Sequence, residues 1–199
     1  VDLCVGCTYK YGNSGPGSPA WLYVSKKIQK ELQVPIQGWF AQDAQFEMGP
    51  VFERAQNIRG FQIASPSLIG IRCVQTAFSM IKEAGIDAIA QKAAVGTQMM
   101  IDLYDAWLAP LGIELNTSRD PKERGGHISL VHPDAAQICV ALREISNVIP
   151  DYRTPNSIRL AISPLPTSFV EVWDGFARMR DLVASGQYKT IKEGGSRVT

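Results

Sequence analysis

Cys7-Thr8-Tyr9-Lys10-Tyr11-Gly12-Asn13-Ser14-Gly15-Pro16-Gly17 is the stretch on which the reading of this chain turns. It closes an apolar run, residues 1–7, that reads as a buried strand. Beyond Tyr11, Gly12, Asn13, Gly15, Pro16 and Gly17 cannot sustain regular structure and read as a turn-rich loop. A lysine at a strand end, between two tyrosines and before a glycine-rich turn, suits a Schiff-base lysine, which must be held rigidly with its amine partly desolvated. Desolvation or a nearby cation lowers the amine pKa from about 10.4 towards a usable nucleophile. A neighbouring tyrosine can donate to a phosphate. The residues alone leave open a plain surface lysine at a loop edge, the commoner case. Gly15-x-Gly17-x-x-Ala20 mimics a dinucleotide fingerprint, but Pro16 and Pro19 interrupt it and no strand runs straight into a long helix there.

Outward from that stretch, residues 21–24 read as a strand, 26–32 as a short helix, 35–40 as extended and 41–57 as irregular. A strong helix starts near Ser65-Pro66, with Ser as N-cap and Pro at the first helical position, and stops at Ala84-Gly85. A second long helix spans 87–111. Strands follow at 113–115 and 128–131 around a polar loop, 116–126. A helix over 133–145, strands at 148–152 and 158–162, and a last helix over 169–183 complete the pattern, before a polar tail expected to fray. From residue 85 the order is helix, strand, strand, helix, strand, strand, helix, which predicts an α+β layer of helices on a mostly antiparallel sheet.

Composition excludes several classes. The 199 residues carry 20 Lys and Arg against 19 Asp and Glu, so no strong field favours nucleic acid or an anionic membrane. No stretch approaches the ~20 apolar residues of a membrane span. Lys26, Lys27 and Lys30 read as a solvated face. The start shows no signal-peptide pattern and no initiator Met, and it opens in mid-strand as a piece of a longer chain would. Cys4 and Cys7 form one C-x-x-C, but a structural zinc needs a second pair or suitably spaced histidines, and His127 and His132 do not supply it. No metal site is therefore expected, and the cysteines read as buried free thiols of a reducing cytoplasm. No G-x-S-x-G, Walker A or H-E-x-x-H pattern occurs. Trp21, Trp107 and Trp173 read as core, His127 as a structural histidine more readily than a substrate contact, and Tyr11 as either packing or pocket.

Thr8-Tyr9-Lys10-Tyr11 with Asn13-x-Gly15-Pro16-Gly17 resembles the cofactor-lysine signature of kynureninases, among the class V, fold type I pyridoxal-phosphate enzymes. Further blocks continue the resemblance: Gly38-Trp39 with Phe46 and Met48, the segment 61–68, Arg124-Gly125-Gly126-His127, Asp151-Tyr152-Arg153, Ile158-Arg159, Pro164-Leu165 and the segment 168–173. The resemblance implies an α/β architecture: a fragment of the fold type I transferase-like large domain over 1–85, then a small α+β domain over 86–199. It implies pyridoxal 5'-phosphate held by Lys10, with Tyr9 on the phosphate and Trp39 and Ser65 reaching the phosphate of a partner subunit in a homodimer. Arg159 would clamp the α-carboxylate of a small amino-acid substrate. Independently, Ile158, Leu160 and Ile162 share one face of their strand, which leaves Arg159 on the other with Ala161. The implied reaction is hydrolytic Cβ–Cγ cleavage of L-kynurenine to anthranilate and L-alanine.

Four positions depart from the pattern: Gly12 for Leu, Ala41-Gln42 for Gly-His, Ser65 for Asn or Thr, and Pro166 for Tyr. Residues expected upstream of the lysine, an acidic partner for the pyridinium nitrogen and a ring-stacking aromatic, are not among these 199, so this stretch alone is expected to be inactive. The rivals are another class V enzyme, an aminotransferase or a cysteine desulfurase, and a cofactor-free dimerisation module. Cys73 and Cys139 lie in helical patterns, which disfavours the desulfurase.

Overall fold

A computed structural model describes residues 1–191. Of the tail expected to fray, Gln187–Thr190 is instead a 3₁₀ turn with Tyr188 buried, and 192–199 lie outside the described residues. The chain divides into two compact units, Val1–Glu83 and a second beginning at Ala84.

In the first unit, β1 (Leu3–Gly6) pairs antiparallel with β2 (Trp21–Val24). The expected burial of β1 is wrong: Leu3 and Val5 are exposed, as are Trp21, Leu22 and Tyr23 on β2. Strands apolar on both faces suit a sheet covered on both sides. A two-stranded ribbon has no such cover among the described residues. For the same reason Cys4 and Cys7 are exposed rather than buried, as is Cys73, and Trp21 is not core. The helix expected over 26–32 is a run of turns held by two backbone bonds, Ile28 to Ser25 and Leu32 to Ile28. So short a segment cannot repay helix nucleation without an apolar face to bury. Trp39 and Phe40, expected extended, form a 3₁₀ turn with Ala41 (Trp39–Ala41), and a second lies at Ile58–Phe61. The irregular stretch between them is pinned by one bridge, Gln42 to Arg54.

Helix α1 (Leu68–Ala84) starts later than Ser65. Ser67 is its cap: Ser67 Oγ accepts from Gly70 N at 3.2 Å, and its carbonyl accepts from Ile71 N. Ser65 stays outside the helix.

The second unit carries the core. The helical run expected over 87–111 is present, but α2 itself (Ile86–Leu103) stops short of its end. It widens into a π turn (Tyr104–Leu108) and tightens into a 3₁₀ turn (Ala109–Leu111) before left-handed Gly112. Pro110, with no N–H and a ring that crowds the preceding turn, is a sufficient cause. Four strands follow: β3 (Glu114–Leu115), β4 (His127–Val131), β5 (Asp151–Arg153) and β6 (Ser157–Ala161). They pair antiparallel throughout, as the element order predicts, and their spatial order is β3-β4-β6-β5, although β5 starts three residues later than expected.

Ile128, Leu130 and Ile158 are fully buried on one sheet face. Helices α2, α3 (Ala135–Glu144) and α4 (Phe169–Ser185) supply the rest of that core through Met100, Ile101, Ile138, Leu142, Phe176 and Met179. Gly96 lets α2 approach the sheet, since a Cβ there would sit 2.5 Å from Ile162 Cδ1. A capping box starts α4: Ser168 Oγ accepts from Glu171 N, and Ser168 N donates to Glu171 Oε2. Trp107 and Trp173 meet edge to face at 4.5 Å, but Trp173 is half exposed and lies at the rim of the core rather than within it.

The buried cluster lies wholly within residues 100–188, whereas the first unit buries no hydrophobic side chain larger than Val24. A fragment of residues 84–199 is therefore expected to unfold cooperatively and a fragment of residues 1–83 to show no cooperative transition. Circular dichroism during thermal unfolding of the two fragments checks this, and a sharp transition in the shorter one would refute it.

Candidate active site

Lys10 is presented by a turn held from several directions. Thr8, buried just before it, donates through Oγ1 to the Pro19 carbonyl at 2.6 Å. The Thr8 carbonyl accepts from both the Ser14 hydroxyl and Ser14 N. Asn13, left-handed at φ 55°, donates from its backbone to the Lys10 carbonyl at 2.9 Å and from Nδ2 to the Tyr11 carbonyl at 3.0 Å. Asn tolerates this region better than most residues. A Cβ at Gly12 would lie 2.4 Å from the Thr8 carbonyl oxygen, so this chain's departure from Leu there lets the loop close on Thr8. Lys10 itself is exposed, its Nζ 5.4 Å from the centre of the Tyr9 ring. Among the described residues no carboxylate pairs with it.

Trp39 and Ser65 lie on segments that meet. Gly38 lies against the Ile63 carbonyl, where a Cβ would come within 2.0 Å, so only glycine permits the approach. Trp39 donates its indole N–H to the Gln45 carbonyl at 2.8 Å and stacks edge-on with Phe40 and Phe46. Ser65 is exposed before α1. Gln42 accepts through Oε1 from Glu53 N at 2.8 Å, which gives it a structural duty. Lys10, Tyr9, Trp39 and Ser65 all belong to the first unit, and Arg159 to the second.

Arg159 sits on the half-open face of the four-stranded sheet, opposite buried Ile158. Its neighbours in register are Ser129 on β4 and Asp151 on β5. Asp151 pairs with Arg159 and with Arg153, a partner that sequence reasoning quoted without assigning it a role. Its signal was the hairpin itself, which sets an acid on one strand across from a base on the next. Arg124 was likewise quoted without a role. It donates through Nε to fully buried Thr97 at 3.0 Å, through Nη2 to Gln98 at 2.8 Å and through Nη1 to the Arg119 carbonyl at 2.6 Å. Arg119 in turn forks Asp105 at 2.8 and 2.7 Å, and that partner holds the Asp105 carboxyl below its usual range. These two arginines strap loop 116–126 to α2 and its π turn.

His127 shares the Arg159 face. Burial first, then the charge of Arg159, pushes its pKa below the ordinary histidine value. A histidine with a lowered folded pKa favours folding only while neutral. Stability should hold above about 6.5, the unfolded value, and fall as pH drops below it. His127→Gln is expected to flatten the acid side of a plot of Tm against pH. An unchanged slope between pH 7.5 and 5 would contradict it.

Residues 89–179 match the family model described as the kynureninase C-terminal domain. A kynureninase of Bacillus thuringiensis subsp. konkukian is 36% identical over 194 residues, covering 96% of this chain and 45% of its own length. One of Geobacillus thermodenitrificans is 39% identical over 191 residues, covering 95% and 44%. The chain is kynureninase-like. It spans less than half the length of these relatives. Among solved structures, an apo cysteine desulfurase from Thermococcus onnurineus NA1 superposes with a TM-score of 0.73 at 16% identity, over 93% of this chain and 48% of that one. A cystine C–S lyase in complex with cysteine persulfide gives 0.63 at 17% identity, over 83% and 43%. A mutant of that lyase carries glycine covalently linked to its pyridoxal-phosphate cofactor. These likenesses place the kynureninase-like chain in fold type I, as an α/β piece followed by an α+β unit. Among the described residues no helix is long and apolar enough to cross a membrane, and no cluster of side chains could hold a metal.

Proposed function

We propose that the kynureninase-like chain is the C-terminal half of a pyridoxal 5'-phosphate enzyme that hydrolyses L-kynurenine to anthranilate and L-alanine. The observation that carries this reading is the turn at Lys10: an exposed lysine on an immobilised backbone, in a sequence that matches kynureninases over 96% of its length. The residues fit the cofactor. Lys10 has an exposed amine, without a carboxylate partner among the described residues, to bond its aldehyde, and Tyr9 beside it is exposed. Trp39 and Ser65 would serve the phosphate of the partner subunit in a homodimer. That duty needs Trp39 to exchange its Gln45 bond for the phosphate.

When bound, the cofactor supplies an electron sink for charge developing beside the amino group. This chain's own residues do the rest. Arg159 pairs the α-carboxylate through its planar fork. Lys10 Nζ, once displaced by the substrate amine, holds and moves the protons. One water is consumed as the Cβ–Cγ bond breaks, leaving the carboxyl of anthranilate and the methyl of alanine. Residues 1–85 would close the cofactor-binding large domain and 86–199 form the small one. Four free thiols among the described residues suit a cytoplasmic setting. The desulfurase alternative asks for a reactive thiol on a mobile loop. Cys139 is buried in α3 with its pKa pushed up to about 12, chiefly by burial, and Cys73 lies within α1.

The test is anthranilate release, read by fluorescence, from the full-length protein with pyridoxal phosphate and L-kynurenine. Release with stoichiometric alanine supports the proposal. Amino transfer to a keto acid without anthranilate would replace it with an aminotransferase. Neither cofactor binding nor product would leave a dimerisation module.

A further inference from the structure

Next to Arg159, the half-open sheet face holds charges that the reaction above does not use. Asp151 lies directly across from Arg159 in the strand register, and its Oδ2 accepts from Arg159 Nη2. The same oxygen accepts from Arg153 Nε at 2.9 Å, with Arg153 Nη2 at 2.8 Å. The Asp151 side chain is 23% exposed, against 38% for Arg159 and 45% for Arg153. The acid is therefore the anchored member and the two bases its outer arms. Two guanidiniums on one carboxylate leave the cluster net +1, so pairing does not cancel the attraction for an anion. Nη2 carries two hydrogens, and Asp151 takes one. The other, with an N–H on a neighbouring nitrogen of the same plane, remains as a two-donor edge. Among the described residues that edge has no other partner.

We propose that Asp151 is a positioning residue for Arg159: it holds one corner of the guanidinium so that a free edge is aimed at the substrate α-carboxylate, while Arg153 keeps the cluster cationic. This rests on the assignment of Arg159 as the carboxylate clamp. An arginine ordered before its ligand arrives does not spend binding energy on freezing its own long side chain. The geometry also explains why an acid stands beside a residue meant to bind an acid. Without Arg153 the pair would be neutral and the carboxylate of the substrate would compete with Asp151 on equal terms.

The experiment measures, on the full-length holoenzyme, KM and kcat for L-kynurenine and the inhibition constant of its α-carboxamide, which lacks the charge. Asp151→Asn keeps the shape but weakens the grip. It is expected to raise KM roughly tenfold while kcat stays within about twofold, as for loss of uniform binding. The carboxamide constant should not move, a selectivity that a general loosening of the fold would not give. Asp151→Glu, which keeps the charge but displaces it by a methylene, should raise KM about threefold with the same selectivity. It decides the matter if the Asn variant does not fold. Unchanged KM, or equal losses for acid and amide, would overturn the proposal. Arg159→Lys separates it from the reading beneath it. If Arg159→Lys raises KM and Asp151→Asn does not, the clamp stands and the positioning role falls. If Arg159→Lys leaves KM unchanged, the clamp itself is wrong.

Discussion

Lys10→Ala in the full-length protein is expected to lower kcat for anthranilate release by a factor of about 10³ or more. The proposed chemistry asks two things of this one amine, to anchor the cofactor covalently and to move protons, and alanine does neither. The turn should survive the change, because its hydrogen bonds run through Thr8, Asn13, Ser14 and the Lys10 backbone, not the Lys10 side chain. Folding and turnover should therefore separate: an unchanged Tm without cofactor beside lost activity. Borohydride reduction followed by peptide mass analysis gives a second readout, with a pyridoxyl adduct on the peptide containing Lys10 in the wild type and none in the variant. Activity within tenfold of wild type would sink the assignment of Lys10.

The largest effect on stability is expected from Leu130→Ala. Leu130 is fully buried in β4, in register with Ile158. Truncation removes three carbons from a packed interior that cannot collapse around the gap, and costs about 2–5 kcal/mol. Val131, the next residue, lies on the half-open face, and Val131→Ala should cost under about 1 kcal/mol. Urea denaturation of the three proteins, compared by midpoint at constant slope, measures both values. Equal losses at the two positions would mean that the sheet does not bury the face assigned to it.

The contrast between Leu130 and Val131 also shows where sequence reading succeeds. Period-two alternation in 127–131 and 157–161, and helical spacing in α2, α3 and α4, are local properties of the chain, and each unit buries its apolar side against the next. The element order after residue 85 and the antiparallel sheet were therefore legible. So was Arg159, because alternation around Ile158 and Leu160 put it on the opposite face. The Lys10 turn was legible from Asn13 and the glycines, whose backbone freedom has few other uses.

The first unit was less legible, because its burial depends on surfaces other than its own. Leu3, Val5, Trp21 and Leu22 have the composition of a covered strand pair, yet nothing among the described residues covers them. Amino-acid type records the environment a strand is suited to and says nothing of which element supplies it. The start of α1 was misplaced for a related reason, since Ser65 and Ser67 are equally good caps by type and only the backbone path decides which hydroxyl meets an open N–H.

The sequence by itself determined the elements of the second unit, the placement of Arg159 on the polar side of its strand and the turn chemistry at Lys10, all set by neighbours within a few residues. Only the tertiary structure decided that Asp151 faces Arg159, that Arg124 reaches Thr97 and that Gly38 meets Ile63. Each joins residues 8 to 27 positions apart, and strand register and close backbone approach are settled by the packed whole.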